Sequence, residues 1–306
     1  MNQAPPDRLG ITAKKTSATG SILMLVSAFN FAILDSLVKI LGPSFRVWDI
    51  AFYRFGCGLL LLLAIVCRHG NPFNGHNPKL MVINGLISTM GFLALVTSIR
   101  LIPISTAMVL FYSFPAFAAL FSTVIFKEKI KKVEFLYIFV AFFGVILLFE
   151  FNLEGPLLGQ VMGLLAGILI GLSITIVRKL REKDGSVVIY LYYCLVGIII
   201  SLPIFLAEPR LPQLGTEWFI LGGIVLSSIF ATLLMNMGFR YCKSWEGGLF
   251  LTSELVFTSL FGIFFLHELT TWRFLVGGLL IVASVLALNI SNSQKHSSAS
   301  VAAGDR

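Results

Sequence analysis

RLIPISTAMVLFYSFPAFAALFSTVIFKE, residues 100–128, and RYCKSWEGGLFLTSELVFTSLFGIFFLHE, residues 240–268, decide the fold. At a constant shift of 140 positions, Arg100 matches Arg240, Ser113 matches Ser253, Phe117 matches Phe257, Leu120 matches Leu260, Phe121 matches Phe261 and Glu128 matches Glu268. Each stretch is a charged turn, an apolar run about one bilayer long, and then a Glu. The chain reads as a duplication built from membrane helices.

Composition agrees. Of 306 residues, 57% are hydrophobic and 12% charged, against about 25% charged in a soluble domain. That much apolar surface exceeds what a water-soluble particle of this size can hide, so much of it faces lipid. Long unbroken apolar runs with little period-2 alternation argue against an outer-membrane barrel. The expected class is all-α, a polytopic membrane protein with ten transmembrane helices in two inverted five-helix repeats. The runs lie at about 18–41, 47–67, 80–99, 104–126, 133–149, 157–177, 187–206, 218–239, 247–266 and 273–290. They divide the chain into a cytoplasmic N-terminal segment (1–17), two repeats (18–149 and 156–290), and a tail (291–306) whose Ser and Ala content predicts disorder. The first run is too long for a removed signal peptide and lacks a small-residue cleavage site, so it is expected to stay.

The net charge of +8 is a matter of orientation. Of 23 Lys and Arg, Lys39 and Arg54 lie inside apolar runs. Arg46, Arg100, Arg210 and Arg273 fall in the gaps on one side, which leaves seventeen for the other. Positive residues resist translocation, so the seventeen mark the cytoplasmic side, both termini are expected there, and nucleic acid is not an expected partner. Five spans per copy is odd, so the second copy enters the bilayer upside down relative to the first. Inverted repeats are an architecture of secondary transporters.

The residues also resemble the drug/metabolite transporter superfamily, and within it the EamA-type transporters with two tandem domains. The features are Asp35 and Lys39 late in the first helix, Arg54 early in the second, Ser105-Thr106-Ala107 leading to Ser113-Phe114-Pro115, Lys127-Glu128, and Gly144-Val145. The second copy echoes them through Glu254, Glu268 and Gly277-Gly278. Leu255 stands where Pro115 would repeat and Ser284 where Gly144 would, which breaks exact symmetry. The resemblance implies a central cavity lined by helices one to four and six to nine, a bacterial inner-membrane location, and transport of amino acids, drugs or compounds such as S-adenosylmethionine.

A charged side chain near the bilayer centre costs roughly 2.5–3.5 kcal/mol on insertion scales and seldom faces lipid. Asp35 and Lys39 are four apart on one helical face, as a structural pair or as groups that orient a charged substrate. Arg54, about 10 Å into its span at 1.5 Å per residue, reads as a salt bridge to Asp35 or Asp49, or as an anion fork. Glu254 lies near the midplane, where an ionised carboxylate is costly, so it is a candidate proton carrier or a carboxylate satisfied by neighbours. Tyr112, Ser113 and Asn236 complete the candidate substrate-binding set, and Asn30 is a further polar residue in an apolar span. Each of these polar residues reads equally well as interhelical glue. Glu128 and Glu268 read as helix-end anchors, and Pro115 as a kink or an interruption.

No cofactor or metal is expected. Cys57, Cys67, Cys194 and Cys242 lack paired spacing, and the four His are scattered. No Gly-Lys-Ser phosphate loop, His-Glu-x-x-His or Gly-x-Ser-x-Gly occurs, which disfavours ATP-driven pumping and an intramembrane enzyme. The expectation is a transporter of small polar or amphipathic metabolites, with a lipid flippase component or a membrane interaction subunit as the alternative. A small-molecule substrate and the lipid bilayer are the expected partners, and a homo-oligomer is left open.

Overall fold

The computed structural model describes residues 7–41, 45–66, 73–102, 104–127, 131–148, 156–213, 215–266 and 272–304. Among them there are twelve helices and no strand. They are α1 (Asp7–Leu41), α2 (Val47–Val66), α3 (Pro78–Leu101), α4 (Ile104–Phe111), α5 (Phe114–Ile125), α6 (Lys132–Leu148), α7 (Leu157–Leu180), α8 (Ser186–Ala207), α9 (Gly215–Gly238), α10 (Ser244–Leu251), α11 (Ser253–Leu266) and α12 (Trp272–Gly304). Among the described residues, seven stretches are long and apolar enough to cross a bilayer: 19–38, 47–65, 78–99, 107–125, 157–180, 186–207 and 215–238. The other three apolar runs are short or interrupted: α6 has 17 residues, α10–α11 is broken, and the apolar part of α12 covers 275–288. Two helices outrun their apolar cores. α1 begins at Asp7, and α12 continues through Gly304, where the tail had been expected to lack regular structure. Glu128 and Glu268 lie outside the described residues.

The fourth and ninth runs are each split, and at equivalent places. α4 ends at Phe111 and α5 begins at Phe114, whereas α10 ends at Leu251 and α11 begins at Ser253. The shift of 140 carries Tyr112 onto Thr252. In the first copy Pro115 occupies the opening turn of α5, where its missing N–H costs nothing, and the Ser113 hydroxyl donates to the Leu110 carbonyl (2.5 Å). The second copy has no proline there. Instead the Thr252 hydroxyl donates to the Leu249 carbonyl (2.7 Å), a local bond that competes with the helical ladder.

Packing repeats as well. α1 lies antiparallel on α9: Gly20 meets Tyr241 and Cys242, Met24 meets Gly238, the Ser27 hydroxyl donates to the Ala231 carbonyl (2.7 Å), and Leu37 meets Gly223. α3 lies antiparallel on α7: Ile102 meets Gly159, Ser98 meets Gly163, Ile170 meets Gly91, and the Ser88 and Ser173 hydroxyls are 2.6 Å apart. Adding 140 to Met24 and subtracting it from Gly238 gives positions 164 and 98, one residue from the observed Gly163–Ser98 contact. The strongest neighbours survive the same exchange. α1 with α10 and α11 answers α7 with α4 and α5, α2 with α9 answers α8 with α3, and α2–α8 and α6–α12 map onto themselves, whereas α5–α10 and α1–α12 have no counterpart of similar extent.

Glycine makes the close approaches. A Cβ at Gly171 of α7 would lie 2.9 Å from the Ala118 nitrogen and 2.9 Å from the Phe114 carbonyl oxygen. Small residues at such crossings let backbones meet and gain dispersion contact where lipid offers no hydrophobic drive. The interior is filled by Trp245, Tyr190, Phe55, Phe239 and Phe250, all nearly fully buried. Leu157, Val124 and Phe219 are 73%, 70% and 85% exposed, the outward apolar surface of a chain solvated by lipid.

Candidate functional site

Four side chains from four separate stretches converge beside the two helix breaks. α1 brings Asp35, α2 brings Arg54, the α4–α5 junction brings Tyr112, and the first turn of α11 brings Glu254. The Asp35 and Glu254 carboxyl groups lie in hydrogen-bonding contact, the Tyr112 hydroxyl reaches Glu254, and Arg54 acts on both carboxyl groups through its charge. Glu254 owes its place to the break at Thr252, which puts it in an opening turn, where N–H groups lack intrahelical partners and the helix dipole favours an acid. Asp35, Arg54, Ser113 and Glu254 are half-buried. Tyr112 is 4% exposed.

Arg54 has its own cradle. Its Nε donates to the Ser228 hydroxyl of α9 (2.6 Å), and its guanidinium sits 5.7 Å from the centre of the Phe55 ring. Tyr190, Tyr193 and Cys194 of α8 feel its charge. Among the described residues it makes no ion pair within 4.0 Å, so neither salt bridge suggested by its sequence position forms. Asp49 is instead clamped by Arg46, which donates Nε (3.1 Å) and Nη2 (3.0 Å) to the carboxylate. Arg46 also reaches the Glu208 carboxylate at the far end of α8 (2.5 Å).

The remaining candidates lie elsewhere. The Lys39 side chain is outside the described residues. Ser113 turns to its own helix through Leu110 and packs beside Gly167 of α7. Asn236 is buried at the α7–α8 turn, where its amide donates to the Ser186 carbonyl (3.4 Å) and its backbone carbonyl accepts from Arg181 (2.8 Å). α1 pairs Met24 with Gly238 and Leu37 with Gly223, so Asn236 stands about 15 Å along the helix axis from the level of Asp35. Asn30 donates to the Val26 carbonyl in its own helix (2.8 Å). A small pocket joins the two breaks, with Tyr112, Ser113 and Pro115 on one side, Leu249 and Thr252 on the other, and Ala141 of α6 closing it. Sequence reasoning passed over Ser228, Tyr190 and Tyr193. The one available signal was that Ser228 repeats Ser88 at the shift of 140.

Among the described residues no group of three or more His, Cys, Asp or Glu could hold a metal. Outside the spans, burial and the nearby Glu246 carboxylate push the Cys242 thiol up to about 12.

Long apolar helices around an interior patch of acids and one arginine define a multi-pass membrane protein built to carry a small molecule. The chain belongs to the EamA-like transporter family, which it matches over residues 18–150 and 157–290, within the drug/metabolite transporter superfamily. It is 22% identical over 272 residues to the pseudopaline exporter CntI of Pseudomonas aeruginosa, covering 89% of this chain and 96% of that one. It is 24% identical over 291 residues to the S-adenosylmethionine uptake transporter of Rickettsia felis, covering 94% and 99%. It is 23% identical to the human solute carrier family 35 member G1, covering 87% and 77%. A solved crystal structure superposes with a TM-score of 0.75 at 15% identity, covering 92% of this chain and 98% of that one, which establishes the shared fold. These relatives are transporters, and transport is the general function of this chain.

Proposed function

We propose that this protein is a secondary transporter, not an enzyme, that carries a small polar or amphipathic metabolite by alternating access and binds it at Asp35, Arg54, Tyr112 and Glu254. The observation that carries the reading is the meeting of these groups, from both halves of the chain, at paired helix breaks. Irregular backbone at membrane depth is tolerated where it lines a cavity, and broken helices are where transporters of this kind bind substrate. Lys39, Ser113 and Asn236 stay in the proposal as residues along the path.

The exchange symmetry supports inverted repeats of five spans at 18–149 and 156–290. Side-to-side links support the same topology. Arg46 with Glu208, His76 with Asp184 (3.2 Å), and Arg178 stacked 4.3 Å over Phe126 each join segments that ten alternating spans put on one face. We place the termini in the cytoplasm on the excess of positive charge, and the protein in a bacterial inner membrane by its family. Amino acids and compounds like S-adenosylmethionine or pseudopaline are within reach of a site with both charge signs. An exporter and an uptake transporter stand among the relatives, so the gradients set direction.

Two carboxyl groups in contact supply a proton carrier, and we assign proton coupling to Glu254 with Asp35. Flux into proteoliposomes under an imposed pH gradient tests the reading. Glu254→Gln should abolish gradient-driven accumulation while leaving the protein folded by its melting curve. Accumulation equal to the parent would remove Glu254 from coupling, and no movement of any member of a broad metabolite panel would remove transport at this site.

A further inference from the structure

Resting on that reading of the site, we propose that the cluster holds itself electrically neutral. The proton shared by Asp35 and Glu254 then stays when a zwitterion binds, leaves when a monocation binds, and is joined by a second when a monoanion binds. The substrate's charge, not the fold, would fix how many protons travel with it.

The argument is a charge count. Two carboxyl groups in hydrogen-bonding contact need one proton between them, because two carboxylates have no donor and repel. The pair therefore carries one negative charge, and the Arg54 guanidinium carries one positive. Among the described side chains, the other facing groups add nothing. Tyr112 at the α4–α5 junction and Tyr190, Tyr193 and Cys194 on α8 are neutral near pH 7. α9 presents the Ser228 hydroxyl and has no titratable residue from 218 to 238, and α12 has none from 274 to 288. Lys39 lies about one turn farther along α1. An uncompensated charge among helices in a bilayer is strongly disfavoured, so each bound state has to restore neutrality.

Geometry supplies both receptors. Arg54 spends only Nε on Ser228, and among the described residues its two terminal amino groups have no partner, a fork shaped for a carboxylate. The carboxyl pair accepts an ammonium on its one negative charge. A zwitterion satisfies both receptors and adds no net charge. A monocation adds one positive charge, so the O–H bond between the carboxyl groups breaks and the proton passes to water. A monoanion adds one negative charge, and water delivers a proton to the ionised carboxylate.

The experiment is isothermal calorimetry on the purified full chain at pH 7 in phosphate and in Tris, whose different ionisation heats count the protons exchanged. The probes are L-leucine, 3-methylbutylamine and 4-methylpentanoate, which keep one side chain and vary the head, with the same triple built on the other protein amino acids. The expected result is no proton exchanged by the zwitterion, one released by the amine and one taken up by the acid. In Glu254→Gln, which has no shared proton to lose, amine affinity falls at least about tenfold and no proton is released, while the zwitterion still exchanges none. If the variant does not fold, the parent's three counts carry the test. Equal counts for all three heads overturn the rule and leave transport standing. Binding by none of the probes also overturns it, and flux in proteoliposomes then tells whether the transporter reading falls with it.

Discussion

A matched pair of glycine substitutions tests the packing that sets the site. Gly171 and Gly222 both lie inside helices, so Gly→Ala gains the same helix propensity at each, about 1 kcal/mol at most. At Gly222 on α9 a Cβ would meet nothing within 4 Å, so the change should be neutral or stabilising by up to that amount. At Gly171 on α7 the new methyl would lie 2.8 Å from Phe117 Cβ and 2.9 Å from two backbone atoms of α5. Backbone cannot rotate away, so α5 has to move off α7. Overpacking of this kind costs about 1–3 kcal/mol, and backbone contacts put it at the upper end. After the propensity gain, Gly171→Ala should be about 2 kcal/mol less stable than the parent and about 2–3 kcal/mol less stable than Gly222→Ala. Reversible unfolding in mixed detergent micelles measures both. Equal midpoints would mean that α5 does not rest on α7, and the placement of Tyr112 would lose its basis.

Arg46→Ala removes the clamp on Asp49 and Glu208; the exposed Glu208 contributes little, but the buried Asp49 carboxylate loses its guanidinium, so the melting temperature should fall clearly, while alkylation of Cys57, a few turns deeper on α2, should speed up several-fold as that end opens. With Cys242 as the sole cysteine, maleimide labelling at pH 8 should run at about one-thousandth the rate of a thiol titrating near 9. Because the neutral thiol is favoured in the fold, that rate should keep climbing tenfold per pH unit toward about 12, and a plateau near 9 would contradict the burial. Ser228→Ala should leave Arg54 in place but free its Nε, weakening carboxylate-bearing ligands by about 1 kcal/mol, and unchanged affinity for them in a binding assay would show that Ser228 does not orient the guanidinium.

The elements legible in the sequence were those with a physical penalty behind them. A carboxylate or guanidinium inside an apolar run demands a polar neighbour, so Asp35, Arg54 and Glu254 stood out, and the structure brings them together with Tyr112. Asn236 stood out for the same reason, but an amide N–H can be met by any backbone carbonyl, and its Nδ2 is met by Ser186 at the α7–α8 turn. Pro115 marked the place between α4 and α5 as a kink or an interruption, and the helix is interrupted there. The break at Thr252 had no such mark, because a hydroxyl bond to Leu249 does the work of the proline and threonine occurs in ordinary helices as well. Ser228 carried no such penalty, since a serine in a membrane helix usually bonds its own backbone, and only its match to Ser88 at the shift of 140 marked it.

The two halves share their packing but not their chemistry. Under the shift of 140, Arg54 corresponds to Cys194 and Glu254 to Phe114, and Asp35 falls at Ile174 or Thr175, as the one-residue offset between α1 and α7 allows. Ile174 is 3% exposed and Phe114 packs against Gly248, so the equivalent place in the other half is filled and apolar. A duplicated chain with two charged clusters would face two costs of holding ions in hydrocarbon. Among the described residues the charged cluster lies in one of the two equivalent places, while the glycine crossings of α1 on α9 and of α7 on α3 occur in both. If that division holds, placing an acid in the second site by Thr175→Asp should cost more stability than Asp35→Asn at the first. No arginine waits there to balance the new charge, whereas removing Asp35 leaves Glu254 to pair with Arg54. The opposite order of melting temperatures would show that the second site is wet, and that the halves differ less than their side chains imply.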